Sequence, residues 1–219
     1  MSKARERVLH TAESLFHEKG YNSVSMRDIA DALGMRQASL YYHVPDGKEQ
    51  LFVEVTRRGL NRHREGLQEA TKNTEPTLKA QLQAVAHWIF SQPPMYLFKM
   101  MENDMPELSP HNQHVLMELS HQALFAPIVK IFQDALKRGE IRQDVNAQRL
   151  TGTFLTIMEG VAFADRQMFS TNMTNIEMAE EVIDILLNGL LRPQRSNASV
   201  WERDMSERSN VTQSLHTPH

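Results

Sequence analysis

The sequence predicts an all-α protein, and three observations support this fold class. Long stretches are free of helix breakers, since the 219 residues include only nine Gly and nine Pro. Ala, Leu, Glu, Gln, Arg and Met dominate those stretches, and these residues favour helices. β-Branched residues rarely alternate with polar residues at the period of a strand. With 41% hydrophobic residues, the chain can bury a substantial core.

The first two helices follow from apolar spacing and from capping residues. Residues 3–19 place their apolar side chains on one face, and Gly20 follows where a helix cap belongs. Ser25 and Asp28 have the spacing of a capping box, in which the Ser oxygen accepts a backbone N–H and the acid bonds back to the helix start. The second helix is therefore predicted to begin at Met26.

The segment GMRQASLYYHV, residues 34–44, has few apolar residues for a helix that only packs. Leu40 is its main aliphatic side chain, and Arg, Gln, Ser, Tyr and His fill most other positions. A helix, a glycine turn and a short polar helix have the layout of a helix-turn-helix. The turn Pro45-Asp46-Gly47 ends this segment, and a long helix is predicted from residue 48 to about residue 70.

Further helices are predicted over residues 78–90, 112–138, 146–168 and 176–191. Pro127 lacks the N–H that would bond to Ala123, so the helix over 112–138 is expected to bend there. These elements divide the chain into four predicted parts. They are a helix-turn-helix domain over 1–47, a connecting helix over 48–70, a helical domain over 71–192, and a disordered polar tail over 193–219.

Charge and cysteine content restrict the environment of the protein. The formal net charge is −3, but residues 1–66 hold 11 basic and 9 acidic residues, so the N-terminal third is the basic part. The absence of cysteine excludes disulfides and thiolate zinc sites and favours a reducing compartment. No stretch has the pattern of a signal peptide or the uninterrupted apolar length of a membrane span. We expect a cytoplasmic protein without membrane association.

The sequence contains no motif of a known catalytic or cofactor site. The patterns GxxxxGK[ST], GxGxxG, GxSxG and HExxH are all absent, so we predict that the protein is not an enzyme and has no cofactor. His111, His114 and His121 have spacings of three and seven, which place them on one helix face. No Cys or clear carboxylate completes a metal site with them, so no metal is predicted.

Residues 1 to about 66 resemble the N-terminal domain of the tetracycline-repressor (TetR) family of bacterial transcriptional regulators. The stretch SMRDIADALGMRQASLYYHVPDGKEQLF, residues 25–52, carries the resemblance most strongly. The remaining helices fit the ligand-binding and dimerisation domain of that family by length and helix count. The resemblance implies a repressor that binds a pseudo-palindromic double-stranded DNA operator as a homodimer and is released by a small-molecule effector.

Carried onto this sequence, the resemblance implies which side chains contact DNA. Those expected to face base edges are Arg27, Arg36, Gln37, Ala38, Ser39 and Tyr41, and those expected to contact phosphates are Tyr42, His43 and Lys48. Arg can bind guanine with two donors, and Gln can do the same for adenine. Packing of the small domain is an alternative role for one of the two tyrosines. Many family members have a capping Ser where this chain has Arg36, and usually a basic residue where it has Gln37, so the operator sequence stays open.

Methionine and aromatic residues in the C-terminal part suggest an adaptable effector pocket, a feature of the family. The predicted pocket residues are Trp88, Met95, Phe98, Met101, Met105, Met117, Phe125, Met158 and Glu159. An ordinary apolar core explains the methionines as well, and an exposed or ion-paired carboxylate is an alternative for Glu159. The last two helices are predicted to form the dimer interface through Leu155, Val182, Leu186, Leu187 and Leu190.

A second hypothesis belongs to a different class of function. The chain could be a helical adaptor that binds proteins through its Met-rich middle, with a vestigial N-terminal domain. The basic residues Arg27, Arg36 and Lys48 distinguish the two hypotheses, because DNA binding through phosphate contacts weakens steeply with salt.

Overall fold

The computed structural model of the chain describes residues 2–167 and 173–190, with only the backbone described for 164–167 and 189–190. The described residues form helices joined by turns and contain no strand, so the predicted all-α class is confirmed. The predicted tail over 193–219 lies outside these residues. The main helices are α1 (Lys3–Lys19), α2 (Met26–Leu33), α3 (Gln37–His43), α4 (Gly47–Lys72), α5 (Leu78–Ser91), α6 (Leu97–Lys99), α7 (Pro110–Ser120), α8 (Ala126–Arg138), α9 (Ala147–Gln167) and α10 (Asn175–Leu190).

Local capping fixes the turn between α2 and α3. Ser25 Oγ accepts the N–H of Asp28 at 3.2 Å, and Asp28 Oδ2 accepts the N–H of Ser25 at 2.7 Å, so the predicted capping box is present. Gly34 ends α2 in the left-handed conformation, with φ of 67° and ψ of 32°. This conformation is accessible to glycine at little cost, and it turns the chain sharply into α3.

The N-terminal helices share a small core with the start of α4. Phe16 of α1 lies edge-on to Phe52 of α4, with ring centroids 5.2 Å apart, and Tyr21 lies 4.9 Å from the same Phe52 ring. Leu40 of α3 is fully buried in this core. Ion pairs on the outer side also join α1 to α4, namely Arg5–Glu54, Arg58–Glu6 and Arg62–Glu13. The first helix is therefore fixed to α4 along its length.

Helix α4 also packs against the C-terminal helices, where it contacts α5 and α7. Helix α10 lies along α5, and α8 packs on α9. Between α5 and α7 the chain forms the short helix α6, a π-helical turn over Met100–Asp104 and a 3-10 turn over Met105–Glu107. Because α4 contacts both the N-terminal and the C-terminal helices, a shift of α4 changes its contacts with both sets.

The predicted long helix over 112–138 begins two residues earlier, at Pro110, and changes its hydrogen-bond pattern before Pro127. A π-helical turn over His121–Phe125 separates α7 from α8. Pro127 cannot donate a backbone hydrogen bond, so the chain widens its turn at this place. By length and composition alone, Pro110–Arg138 is a candidate membrane span, which the sequence analysis did not expect. Its residues Ile128 and Phe132 are fully buried against other helices, as in a core helix.

Candidate nucleic-acid interface and ligand cavity

Helix α3 is anchored by one apolar residue and presents polar groups at the surface. Leu40 is fully buried, whereas Gln37, Ala38 and Ser39 are exposed. Tyr42 is 86% exposed and Tyr41 is 42% exposed. A ring as exposed as that of Tyr42 contributes little to a core, so packing does not explain this tyrosine. The surface of α3 is therefore open to a partner.

Two arginines border the same surface. Arg27, in the first turn of α2, and Arg36, at the N-cap of α3, line one shallow groove together with Gln37. The Arg27 side chain is 81% exposed and approaches Asp31 only to 3.7 Å, which leaves its guanidinium accessible. Arginine offers paired donors for base edges or phosphates. The groove thus combines two cations with a Gln amide.

The predicted phosphate-contacting residues have different surroundings. His43 is half-buried beside the exposed Tyr42, with ring centroids 5.5 Å apart. Lys48 Nζ lies 4.0 Å from the centre of the Tyr21 ring, a cation–π contact that the sequence did not indicate. Burial lowers the pKa of Lys48. A phosphate contact at Lys48 therefore competes with its contact with Tyr21.

A cavity of about 260 Å³ lies among the C-terminal helices. Four of the predicted pocket residues line it, namely Met95, Phe98, Met158 and Glu159. Its apolar walls also include side chains that the sequence analysis did not assign to the pocket: Ile89, Phe90, Leu97, Leu124, Leu155 and Ala162. Aromatic and aliphatic walls with a few polar groups are typical of ligand sites.

The other five predicted pocket residues do not line this cavity. Trp88 packs on the backbone of Gly66, and Phe125 lies behind Phe98 with ring centroids 6.3 Å apart. Met105 is buried in the core and Met101 packs beside that core, whereas Met117 is 53% exposed. Methionine spacing does not distinguish a core position from a cavity wall, and the role of these five residues in ligand binding stays a prediction.

His63 of α4 lines the cavity and was missed by the sequence analysis. Only 3% of this residue is exposed, and within the described residues neither ring nitrogen has a hydrogen-bond partner. Burial lowers its pKa to about 4, and the charges of Arg62 and His17 contribute to the same shift. The imidazole is therefore neutral near pH 7. Its position on the apolar face of α4, between Leu60 and Leu67, was the signal available in the sequence.

Glu159 lines the cavity, and its carboxylate bonds to backbone N–H groups rather than to a charged side chain among the described residues. Its Oε2 accepts the backbone N–H of Phe98 at 3.0 Å, and its Oε1 accepts the N–H of Lys99 at 3.4 Å. A carboxylate at the first turn of a helix satisfies N–H groups that lack partners within the helix. Glu159 therefore holds the start of α6 at the edge of the cavity.

Comparison with known proteins identifies the family of the N-terminal part of this chain. The family model described as bacterial regulatory proteins, tetR family, matches residues 8–55, which span most of α1, all of α2 and α3, and the start of α4. The structure of the TetR family transcriptional regulator PfmR from Thermus thermophilus covers 85% of this chain and 100% of its own, with a TM-score of 0.66 and 26% identity. Residues 8–55 therefore belong to the tetR family, and the chain has the fold of a TetR family regulator along most of its length.

Two relatives among known proteins match this chain over different lengths. The HTH-type transcriptional regulator YxaF of Bacillus subtilis is 40% identical over 52 residues, which are 24% of this chain and 27% of YxaF. The match thus spans about a quarter of that relative. The HTH-type transcriptional repressor KstR2 of Mycolicibacterium smegmatis is 28% identical over 149 residues, which are 65% of this chain and 69% of KstR2. Both relatives are named as HTH-type transcription regulators, and the residues that match the family model include the helix-turn-helix of this chain.

The predicted dimer residues divide between the surface and the interior. Val182 and Leu186 of α10 are half-buried, and Leu190 is a residue whose side chain is not described. Leu155 and Leu187 are only 6% and 7% exposed within the single chain, so they offer little surface to a second copy. Within the single chain these two residues lie in the interior, and their contact with a second copy stays a prediction. Ile185, which the sequence analysis did not select, is 64% exposed on α10.

Proposed function

We propose that this tetR-family protein is a ligand-responsive repressor, which binds a pseudo-palindromic operator as a homodimer and is released from DNA by a small-molecule effector. One observation carries the proposal. A surface helix, α3, is anchored by Leu40 and presents exposed polar side chains, while α4 joins it to helices that enclose a cavity. The protein acts in the cytoplasm, without catalytic activity.

The proposal divides the chain by role. Residues 1–47 bind DNA, residues 48–70 connect, and residues 71–192 bind the effector and form the dimer. Arg36, Gln37 and Arg27 read base edges from one groove of the protein surface, together with the exposed positions Ala38, Ser39 and Tyr41. Tyr42, His43 and Lys48 contact phosphates and fix the register of the helix in the major groove.

A homodimer explains how two short helices read a longer site. Two α3 helices roughly 34 Å apart would enter successive major grooves of one DNA face. The exposed Ile185, with the half-buried Val182 and Leu186 beside it, supplies an apolar surface on α10 for a second copy. Two-fold symmetry of the protein then requires an inverted repeat in the DNA.

Contacts between the cavity and the DNA-binding helices support control by an effector. Met95, Leu97 and Phe98 line the cavity, and the same stretch of chain continues to Asp104. Asp104 Oδ1 accepts the backbone N–H of Tyr21 at 2.9 Å, at the exit of α1. A ligand that moves residues 95–104 therefore also moves the contact with α1.

A second contact couples the start of α4 to the start of α7. Glu49 Oε1 accepts the N–H of Ser109 at 2.8 Å and the side-chain amide of Asn112 at 2.6 Å. An effector can bind more tightly to a state in which the two α3 helices are wrongly spaced than to the DNA-bound state. The ratio of these two effector affinities sets the factor by which the effector lowers DNA affinity. Contacts at Tyr21 and at Glu49 provide two places where such a state is distinguished from the DNA-bound state.

The test compares two double variants in DNA binding measured by fluorescence anisotropy. Arg36→Ala with Gln37→Ala should reduce discrimination between a selected duplex and a scrambled one, by about 10-fold or more, because each bidentate base contact contributes about 1–3 kcal/mol. Weak, salt-sensitive binding to both duplexes should persist. The matched control is Arg142→Ala with Gln143→Ala, the same dipeptide after α8, which should leave discrimination unchanged.

If the Arg36→Ala with Gln37→Ala variant discriminates between the selected and the scrambled duplex as well as wild type does, these two residues do not read bases. Binding of wild-type protein to neither duplex, with no dependence on salt, would favour the alternative of a helical protein-binding adaptor. The salt series is therefore measured for wild type first.

A further inference from the structure

We propose that the effector is a compact, uncharged apolar molecule with one O–H or N–H group, which the imidazole of His63 binds by hydrogen bonds. The inference rests on the proposed function, since it names the chemical class of effector for the cavity described above. Four properties of the cavity lead to it: an unpaired buried imidazole, a close-fitting helix face around that imidazole, a negative charge on the wall, and a small volume.

The imidazole of His63 is a hydrogen-bonding group without a protein partner. The residue is 3% exposed, it lines the cavity, and within the described part of the chain both ring nitrogens are unpaired. Buried polar groups are nearly always hydrogen-bonded, because leaving them unpaired costs free energy. A neutral imidazole offers one N–H donor and one acceptor nitrogen. A ligand hydroxyl or amide N–H can satisfy the acceptor, and its oxygen can accept from the donor.

The sequence of α4 places His63 between two glycines on one helix face. Gly59, His63 and Gly66 follow one another at spacings of four and three. A Cβ added at Gly59 would lie 2.8 Å from Met95 Cε, and one added at Gly66 would lie 1.9 Å from Trp88 Cζ2. Met95 and Trp88 thus pack directly on the α4 backbone on either side of His63. Glycine weakens a helix interior, and at these positions it gives room for the residues that flank the imidazole.

The charge of the wall excludes anionic ligands. Glu159 is the lining residue, among those described, that carries a charge near neutral pH. Its oxygens already accept the N–H groups of Phe98 and Lys99, so it does not require a cationic ligand. The neighbouring cation Arg62 pairs with Glu13 of α1 at 2.8 Å. An anion in this cavity would face the Glu159 carboxylate, and no Lys or Arg is among the described residues that line the cavity.

The size of the cavity and a second unpaired polar side chain narrow the class of ligand further. At about 30 Å³ for each water-sized group, a cavity of about 260 Å³ holds about nine such groups. Asn175 Oδ1 also lines the region and has no hydrogen-bond partner among the described residues. The unpaired polar atoms are thus the two ring nitrogens of His63, one donor and one acceptor, and the acceptor Asn175 Oδ1. Because acceptors outnumber donors among them, a ligand that donates a hydrogen bond is favoured.

Four probes of nine or ten heavy atoms test the proposal on the full-length protein by isothermal titration calorimetry. They are 1-octanol, its isomer 1-methoxyheptane, octanoate and octylammonium. Octanol should bind most tightly, and the ether, which accepts but cannot donate, should bind about tenfold more weakly, as expected for one lost hydrogen bond. His63→Leu should weaken octanol binding about tenfold and leave ether binding within about twofold.

Controls separate the role of the imidazole from a general effect on folding. His114→Leu makes the same chemical change on the outer side of α7, away from the residues that line the cavity, and should leave all four affinities unchanged. His63→Asn keeps a donor and an acceptor and should retain part of the octanol preference. Far-UV circular dichroism and the unfolding temperature of each variant show whether it is folded.

Three results would overturn the inference: no octanol binding by folded wild-type protein, tighter binding of octanoate or octylammonium than of octanol, or unchanged octanol affinity in folded His63→Leu. The calorimetry uses no DNA, so its result does not depend on whether the protein binds DNA. DNA binding of the same preparations is measured separately. If the protein binds octanol but not DNA, the proposed repressor function is wrong. If it binds DNA but not octanol, the proposed class of effector is wrong.

Discussion

The packing of Trp88 on Gly66 predicts that Gly66→Ala destabilises the protein, although Gly to Ala usually stabilises a helix interior. The usual gain is about 1 kcal/mol. Here the new Cβ would lie 1.9 Å from Trp88 Cζ2 and 2.1 Å from Cε2. The indole would have to retreat by roughly 1.5 Å to reach ordinary contact, and a core forced apart in this way typically loses about 1–3 kcal/mol. With the upper end of that range, the net loss is about 2 kcal/mol.

Equilibrium urea unfolding and thermal unfolding measure this loss at a fixed protein concentration. For a chain of this size, about 2 kcal/mol corresponds to a fall in Tm of about 4–8 °C. Gly152→Ala in α9 is the matched control, because a Cβ there meets nothing within 4 Å. That variant should gain about 0.5–1 kcal/mol from helix propensity alone.

A double variant isolates the clash itself. Trp88→Leu removes the ring that the new methyl group meets, so Gly66→Ala should cost less in a Trp88→Leu background than in wild type. If Gly66→Ala instead stabilises the protein as much as Gly152→Ala, Trp88 does not lie on the α4 backbone, and the proposed wall around His63 is wrong.

The remaining predictions concern acid stability, capping and assembly. In the unfolded chain His63 binds a proton below about pH 6.5, whereas in the folded chain it does so only near its pKa of about 4. The free energy of unfolding should therefore fall by about 3 kcal/mol between pH 7 and pH 4 because of this residue. Urea titrations of His63→Leu should lack this part of the fall. Ser25→Ala removes the side-chain cap of α2 and should cost about 1 kcal/mol in the same assay, and a change below about 0.3 kcal/mol would contradict the capping role. Ile185→Glu should convert the proposed dimer to a single-chain mass in light scattering. A dimer that persists in this variant would place the interface away from this part of α10.

The sequence predicted those features that depend on neighbouring residues. The range 3–19 of the first helix agrees with the structure, as do the capping box at Ser25 and the start of α2 at Met26. Each depends on contacts within three or four residues, where propensity and capping chemistry decide the outcome. The polar surface of α3, with Leu40 as its buried anchor, was predictable for the same reason.

The ligand cavity was less predictable because distant segments form it. His63 is buried beside Met95 and Trp88, which lie more than 20 residues away, and no local pattern reports this contact. Glu159 meets the N–H groups of a helix that begins about 60 residues earlier in the chain. Likewise, the apolar side of α10 did not reveal that Leu187 packs inside the chain. Apolar spacing identifies a buried face but not the element that covers it.

Selection of bound duplexes from a random DNA library, with purified wild-type protein at moderate salt, tests the central claim most directly. We expect enrichment of an inverted repeat whose half-sites are centred about one helical turn apart, because two α3 helices read them from a two-fold symmetric dimer. Enrichment of a single, non-repeated half-site, or no enrichment above a salt-sensitive background, would contradict the dimeric repressor.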